Sequence, residues 1–345
     1  MTQPASGTVG GPGEILRLTM AFYGSRVLIS AVELDLFTVL ADGSLTGPEL
    51  CRSVGLHPRG ASDFLDSLVA LGLLERDQEQ ETYRNSPAAA RYLDRRKPGY
   101  VGGYAGLADA RLMPLWSHLT EALRTGEPQV PAHTGFFDGY SDKEAARSFL
   151  GAMDAVNSGV AVRLAKAFDW SRYTSLVDLG GARGNLATTL LREHPHLRAV
   201  CFDLPEMKPF FNEHLETLEA SGTSARVRFE AGDFFTTPLP EGDVFVVGHI
   251  LHFLSLEQRR ELLSRIRRAL RPGGAVLVYD RMIDDDRRGP ALSLLGSLNM
   301  LLTSSGGREY TPAECHQWLI DAGFESVRTM PLGQPDTLAV GHLGS

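Results

Sequence analysis

One stretch constrains this chain more than any other: Ser175 to Gly184, reading Ser-Leu-Val-Asp-Leu-Gly-Gly-Ala-Arg-Gly. A short apolar run, an acid and three glycines lead into Asn185-Leu186-Ala187-Thr188-Thr189-Leu190-Leu191, whose apolar residues recur at helical spacing. The order predicts strand, tight turn and helix, a unit that cradles a nucleotide. Gly180, Gly181 and Gly184 are expected to let the backbone approach a ligand where a Cβ would collide. Asp203 follows a second apolar run, Leu197 to Phe202, where an acid accepts hydrogen bonds from ribose hydroxyls.

The spacing decides which nucleotide. A dinucleotide fingerprint begun at Gly180 needs glycine at 182 and glycine or alanine at 185, and the chain has Ala182 and Asn185. No Lys-Ser or Lys-Thr pair follows the glycines, so a phosphate-gripping P-loop is also excluded. Asp178-Leu179-Gly180-Gly181-Ala182-Arg183-Gly184 instead fits acid-x-Gly-x-small-x-Gly, which resembles the first motif of S-adenosylmethionine-dependent methyltransferases. A glycine turn of purely structural use is the rival reading, and Asp203 in register weighs against it.

At 345 residues two domains are the natural prior. A net charge of −8 disfavours a nucleic-acid surface. Cys51, Cys201 and Cys315 are far apart and odd in number, so neither a disulfide framework nor a zinc spacing is expected. The start of the chain lacks the basic and apolar regions of a signal peptide, and no run approaches the ~18 apolar residues of a membrane span. The expectation is a cytoplasmic protein without a membrane partner.

Residues 1–13 read as a flexible terminus, 14–100 as a winged-helix-like domain, 101–168 as a helical connector with pocket helices, and 169–345 as the nucleotide domain. Glu14 to Val39 has helical spacing, interrupted near Gly24 or Asp35. Thr46 and Glu49 form a capping box for the next helix, and Pro58 to Leu71 gives another that ends at Gly72. Leu73 to Arg84 then reads as a short hairpin. Helix, turn, helix and hairpin make a winged-helix order, but Arg59, Ser62, Asp63, Asp66 and Ser67 on the second helix are too acidic for DNA phosphates. Helices are expected at Tyr104 to Arg124 and Asp142 to Phe168, with a loop from Gly126 to Ser141 between them. Beyond Asp203, strands are expected at Arg226 to Glu230, Asp243 to Gly248 and Ala275 to Tyr279, and helices at Leu256 to Leu270 and Thr311 to Ala322. Ser326 to Met330 and Asp336 to Val340 read as a closing hairpin.

Ligands of open α/β sheets lie beyond the carboxyl ends of the strands. There Asp233 is placed to accept from an adenine amino group, and Phe234 to cover the ring. His249 and His252 stand three apart, but no third ligand is indicated for a metal, so no metal is expected. His252 is the better candidate for a general base. Asp280 and Glu309 offer carboxylates that fix its tautomer and stabilise the imidazolium.

Together with Leu176 to Gly181, the segments Phe202-Asp203-Leu204-Pro205, Gly232-Asp233-Phe234-Phe235, His249-Ile250-Leu251-His252, Arg271-Pro272-Gly273-Gly274 and Gly307-Arg308-Glu309-Tyr310-Thr311 resemble the O-methyltransferase family. That family includes plant caffeic acid and flavonoid enzymes, acetylserotonin methyltransferases and bacterial methyltransferases of aromatic polyketides and other antibiotics. The resemblance implies an α/β fold: a Rossmann-like domain with a mostly parallel seven-stranded sheet and closing antiparallel hairpin, preceded by an all-helical winged-helix-like dimerisation domain. It also implies S-adenosylmethionine as cofactor, a homodimer, His252 as base, and Asp280 and Glu309 as its supporting acids. Cofactor contacts would fall on Gly180, Gly181, Gly184, Asp203, Leu204, Asp233, Phe234 and Gly248, and substrate contacts on Met153, Asn299 and Met300. The chain departs from the pattern at Phe253-Leu254, where Asp-Trp is frequent, and at Ala182, where a third consecutive glycine is frequent.

The expected activity is methyl transfer from S-adenosylmethionine to a phenolic hydroxyl of an aromatic natural-product intermediate. A same-fold hydroxylase or decarboxylase, or a winged-helix regulator with a degenerate methyltransferase domain, are the alternatives.

Overall fold

The computed structural model describes residues 10–97, 99–130, 143–218 and 222–344. Most of the expected loose terminus, residues 1–9, and most of the expected loop before Ser141 lie outside the described residues. The chain divides into two compact units, Met1–Met113 with Gly151–Ala155, and Pro114–Leu150 with Val156–Ser345.

The first unit holds helices α1 (Pro12–Thr19), α2 (Phe22–Glu33), α3 (Leu36–Val39), α4 (Gly47–Val54), α5 (Pro58–Ala70) and α6 (Pro87–Tyr92). The break in the first helical stretch falls at Met20–Ala21, and Gly24 lies inside α2. The second break is at Asp35, in a left-handed conformation. Thr46 and Glu49 form the expected capping box. The unit is not all-helical: the hairpin β2 (Leu74–Asp77) and β3 (Thr82–Asn85) is joined by β1 (Leu45–Thr46) in an antiparallel sheet of order β1-β3-β2. Leu36, Phe37, Leu50, Leu65, Leu68 and Tyr83 form its core. Asp66 keeps an exposed side chain, as its helix position implied, and is paired with Arg76 at 3.1 Å and the Tyr83 hydroxyl at 2.9 Å.

Pro12–Glu33 spans 22 residues and contains an 18-residue window of mean hydropathy 1.3, long and apolar enough to cross a membrane by length and composition alone. It is not a continuous apolar run, because Arg17 and Arg26 interrupt it and the chain breaks at Met20–Ala21 between α1 and α2. Ile15, Leu18, Phe22 and Tyr23 are all exposed.

The helices expected over Tyr104 to Arg124 are α7 (Gly103–Leu107), a π-helical turn at Ala108–Leu112, α8 (Met113–Trp116) and α9 (Leu119–Thr125). Pro114 removes a backbone donor within this stretch. The long helix α10 runs Lys143–Ala167.

The second unit is built on a seven-stranded sheet of order β6-β5-β4-β7-β8-β10-β9. Its strands are β4 (Ser175–Leu179), β5 (Arg198–Asp203), β6 (Val227–Ala231), β7 (Gly242–Gly248), β8 (Leu270–Asp280), β9 (Ser326–Gly333) and β10 (Asp336–His342). Strands β4 to β8 pair in parallel, and β10 runs antiparallel to both β8 and β9, as the sequence implied. Helices α11 (Asn185–Glu193), α12 (Lys208–Glu216), α13 (Leu256–Ala269), α14 (Ala291–Thr303) and α15 (Pro312–Asp321) complete it. The central strands read as continuous Val, Leu and Phe because both faces are covered. Leu176, Leu190 and Val246 belong to one core, Val177, Phe245 and Ile266 to the other. The carboxyl ends of β4, β5, β6, β7 and β8 therefore share one edge, where parallel sheets present their ligand-binding loops.

Candidate active site

The turn after β4 is shaped by protein packing. A Cβ at Gly180 would lie 2.5 Å from Ile250 Cδ1, one at Gly181 would lie 2.6 Å from the Cys201 sulfur, and one at Gly184 would lie 2.7 Å from the Phe211 ring. At these three positions a side chain would collide with the chain's own packing. Gly180 and Gly184 also have φ of 69° and 76°, where glycine carries no steric penalty. Ala182 adopts φ 46°, so its methyl group is held in the left-handed region.

Asp203 ends β5 and is buried. Its two oxygens accept from the backbone N–H of Ala182 at 2.8 Å and of Leu204 at 2.7 Å. A carboxylate has about four lone-pair sites, so each oxygen retains capacity for a hydroxyl donor. That fits a ribose diol. Asp178 Oδ2 is buried with no hydrogen-bond partner. Burial and the nearby charge of Asp203 push the Asp178 carboxyl up to about 7, and burial pushes Asp203 up to about 6. Asp233 accepts from the N–H of Phe235 and Thr236 through Oδ1, an Asx turn that fixes the loop after β6. Phe234 packs toward the Gly180 turn and lies 6.2 Å from the Phe202 ring. A side chain at Gly248 would run into the Tyr279 ring. The loops after β4, β6 and β7 thus meet at Gly180, Phe234 and Ile250.

His252 sits in a single turn, Leu251–Phe253, beyond β7 and is buried. Its Nδ1 is 3.0 Å from Glu309 Oε1 and 3.1 Å from Asp280 Oδ1. The expected grouping of these three residues is present in the structure. Burial works against the imidazolium, but the charge of Asp280 and the bonds to both acids outweigh it and push His252 up to about 10. Asp280 is held well below the usual carboxylate range, because adjacent His252 overcomes the cost of burial. Burial raises Glu309. His252 Nε2 is buried and makes no hydrogen bond. Phe253, where the family often has aspartate, packs its ring at 82° to that of His252, centroids 4.3 Å apart.

Sequence reasoning missed three side chains behind this group. Tyr310 donates its hydroxyl to Asp280 Oδ2 at 2.6 Å. Arg259, 1% exposed, donates to the carbonyls of Leu251 at 2.8 Å and Arg308 at 2.6 Å, the residues immediately before His252 and Glu309. Asp336 approaches His249 from β10. His249 also supplies a correction: with His252 and Asp280 it forms a group whose donor atoms lie within 4.8 Å of one another, so the histidine pair does have a third metal-capable neighbour. The spacing of three residues gave no hint of it, because Asp280 arrives from another strand.

Asn299 and Met300 lie on α14. Asn299 Oδ1 accepts from the Trp116 indole at 3.0 Å, and Met300 is buried. Met153 is half-buried on α10, in the stretch that groups with the first unit.

Residues 116–325 match the model of the O-methyltransferase domain, and residues 16–95 that of the O-methyltransferase dimerisation domain. The chain is 71% identical to the tetracenomycin polyketide synthesis 8-O-methyl transferase TcmO of Streptomyces glaucescens, over 97% of each chain. It is 43% identical to the N,N-dimethyltransferase OxyT of Streptomyces rimosus, over 82% of each. Among solved structures, human N-acetylserotonin methyltransferase in complex with S-adenosylmethionine superposes with a TM-score of 0.89 at 30% identity, covering 98% of this chain and 100% of the other.

Proposed function

Because the chain belongs to the O-methyltransferase family, we propose that it methylates a phenolic hydroxyl of an aromatic polyketide intermediate, with His252 taking the hydroxyl proton. S-adenosylmethionine supplies an electrophilic sulfonium methyl group. Asp203 would hold its ribose, Asp233 and Phe234 its adenine, and the Gly180 turn its remainder. Asn299 and Met300 are assigned to the acceptor. The 71% identity to an 8-O-methyltransferase supports oxygen as the accepting atom, and nothing in the comparisons favours a hydroxylase, decarboxylase or regulator.

The observation that carries the reading is the clamp on His252. Nδ1 is hydrogen-bonded to Glu309 Oε1 at 3.0 Å and has Asp280 Oδ1 at 3.1 Å in ion-pair range, while Nε2 remains buried without a bond. A phenol has a pKa near ~10 and an ordinary histidine ~6.5, so the proton transfer would run uphill by about 3.5 units, roughly 5 kcal/mol. With His252 pushed up to about 10, donor and acceptor are matched. The same shift leaves His252 protonated at neutral pH. Neutral histidine with phenol and imidazolium with phenolate then have the same composition, so either form reaches the transition state, one proton short of the resting pair. The rate should accordingly rise about tenfold per pH unit across the neutral range.

For the dimer, the match over 16–95 and the exposed Ile15, Leu18, Phe22 and Tyr23 support a second copy of this chain as the cover of that apolar surface. A direct test of the site compares His252→Ala with Asp203→Ala, measuring methylation rate and S-adenosylmethionine affinity. The first should lose ~10²–10⁴-fold in rate with affinity retained, and the second should weaken affinity. Undiminished turnover in His252→Ala would remove the base assignment.

A further inference from the structure

Behind the base, the same carboxylate serves a second imidazole. His249 directly follows β7 with φ 53°, a conformation in which histidine is enriched among non-glycine residues. Its N–H donates to the Tyr279 carbonyl at 3.0 Å. The ring is thereby set against β8 and β10. Its Nδ1 is 3.4 Å from Asp280 Oδ1, the oxygen that also faces His252 Nδ1, and its Nε2 is 3.3 Å from Asp336 Oδ1. Asp280 and Asp336 are buried, and His249 side-chain exposure is 15%.

A neutral imidazole has one N–H and one lone pair. His249 has a carboxyl oxygen beside each ring nitrogen. If Nδ1–H faces Asp280, a lone pair on Nε2 would face the lone pairs of Asp336 across 3.3 Å in a buried setting, which is unfavourable. Neither Nε2 nor Asp336 Oδ1 makes a hydrogen bond in the structure, and a small turn of either group would let them share one proton across that distance. Around this pair stand His252, ring centroid 5.9 Å away, the edge-on Tyr279 ring at 5.2 Å, and the Tyr310 hydroxyl on the other oxygen of Asp280. Arg163 reaches Asp336 at 3.6 Å from α10, and the charge of Arg281 also bears on Asp336.

We propose that His249 is a positioning residue for the base: it shares Asp280 with His252 and holds a proton with Asp336, so that the buried carboxylates do not all act on His252. The proposal rests on the assignment of His252 as base, and it deepens that site. Without the second imidazole, the negative charge of Asp336 and the whole of Asp280 fall on one histidine. His252 then keeps its proton too tightly to take another from a phenol.

The test is His249→Asn, since asparagine tolerates the left-handed backbone, beside Asp336→Asn. Each variant is labelled with 15N-histidine, and the ring nitrogens of His252 are titrated by NMR. S-adenosylmethionine affinity is measured as a check on folding. At 5.9 Å from His252, loss of the second imidazole should raise the His252 titration midpoint by roughly one to two units in His249→Asn, whereas removing a negative charge in Asp336→Asn should lower it by less. In His249→Asn the methylation rate should fall several-fold at neutral pH and converge with wild type toward high pH. A midpoint unmoved in His249→Asn, or a rate loss equal at every pH, overturns the proposal. An unmoved midpoint in Asp336→Asn overturns the part given to Asp336. If His252→Ala itself keeps full turnover, the base assignment fails instead, and the NMR shift still reports on the charge coupling.

Discussion

Replacing Arg259 by methionine tests how the site is held in place. The Arg259 guanidinium donates to two carbonyls, at 2.8 and 2.6 Å, and lies 4.9 Å from the ring centroids of both Tyr310 and Trp318. Among the described residues no carboxylate is in ion-pair contact with it. Charge-assisted hydrogen bonds contribute ~1.5–3 kcal/mol each, and a cation over an aromatic face about 0.5–2. Desolvating the guanidinium costs several kcal/mol in return, and burial does hold its pKa below the usual value. Methionine fills the space of the stem but leaves the Arg308 carbonyl without this donor, at roughly 1–3 kcal/mol, while the Leu251 carbonyl keeps the Leu254 N–H at 3.1 Å. A net loss of about 1–3 kcal/mol is expected, read as a lower urea midpoint with unchanged slope. The bonded carbonyls precede His252 and Glu309, so loosening them should also separate the base from its acid. A misplacement of ~1 Å can cost 10²-fold in rate. The turnover of Arg259→Met should therefore fall ten- to a hundredfold while S-adenosylmethionine affinity, measured calorimetrically, stays within about twofold. Arg259→Lys keeps the charge but cannot span both carbonyls, and should fall between. Full turnover in a destabilised methionine variant would refute the positioning role. A methionine variant as stable as wild type would refute the energetic reading.

Two further outcomes follow from local geometry. Ala182→Gly removes a left-handed strain of ~1–2 kcal/mol but frees the unfolded chain by about 0.4–1, so thermal unfolding should show a gain of up to ~1 kcal/mol with the Asp203 contact intact. Asp243 accepts from the Thr174 and Ser175 N–H groups and the Thr174 hydroxyl, which with Arg271 outweigh the cost of burial and bring it down to about 2. A carboxyl lowered in the folded state stabilises above its unfolded pKa near ~4 and loses that contribution as pH falls toward 2, on the order of 2 kcal/mol. Asp243→Asn should flatten the acid limb of stability between those limits, and an unchanged slope would show that the turn does not depend on the charge.

How much of this was legible in the sequence depended on whether a residue acts through its neighbours in the chain or across the sheet. The Gly180 turn, Asp203 and the Thr46–Glu49 cap are local devices, and their spacing alone located them. His252 and Asp280 were legible because they lie at or just beyond the ends of β7 and β8, and parallel strands deliver their carboxyl ends to one edge, whereas Glu309, between α14 and α15, was singled out by its acid type and by the family resemblance. What supports them was not legible, for the same topological reason. Asp336 begins β10, the antiparallel strand, so its position at the active edge comes from the start of a strand rather than its end. Arg259 lies on α13 among Arg260, Arg265, Arg267 and Arg268, and composition gives no sign that this one turns inward. The glycines show a second use that their spacing did not reveal. Their spacing identified the cofactor class, and at the same positions the backbone packs against Ile250, Cys201 and Phe211. The motif therefore also brings β4 close to its neighbours. A substitution such as Gly181→Ala should for that reason act first on the fold around Asp178 and Cys201, and on the cofactor only through it.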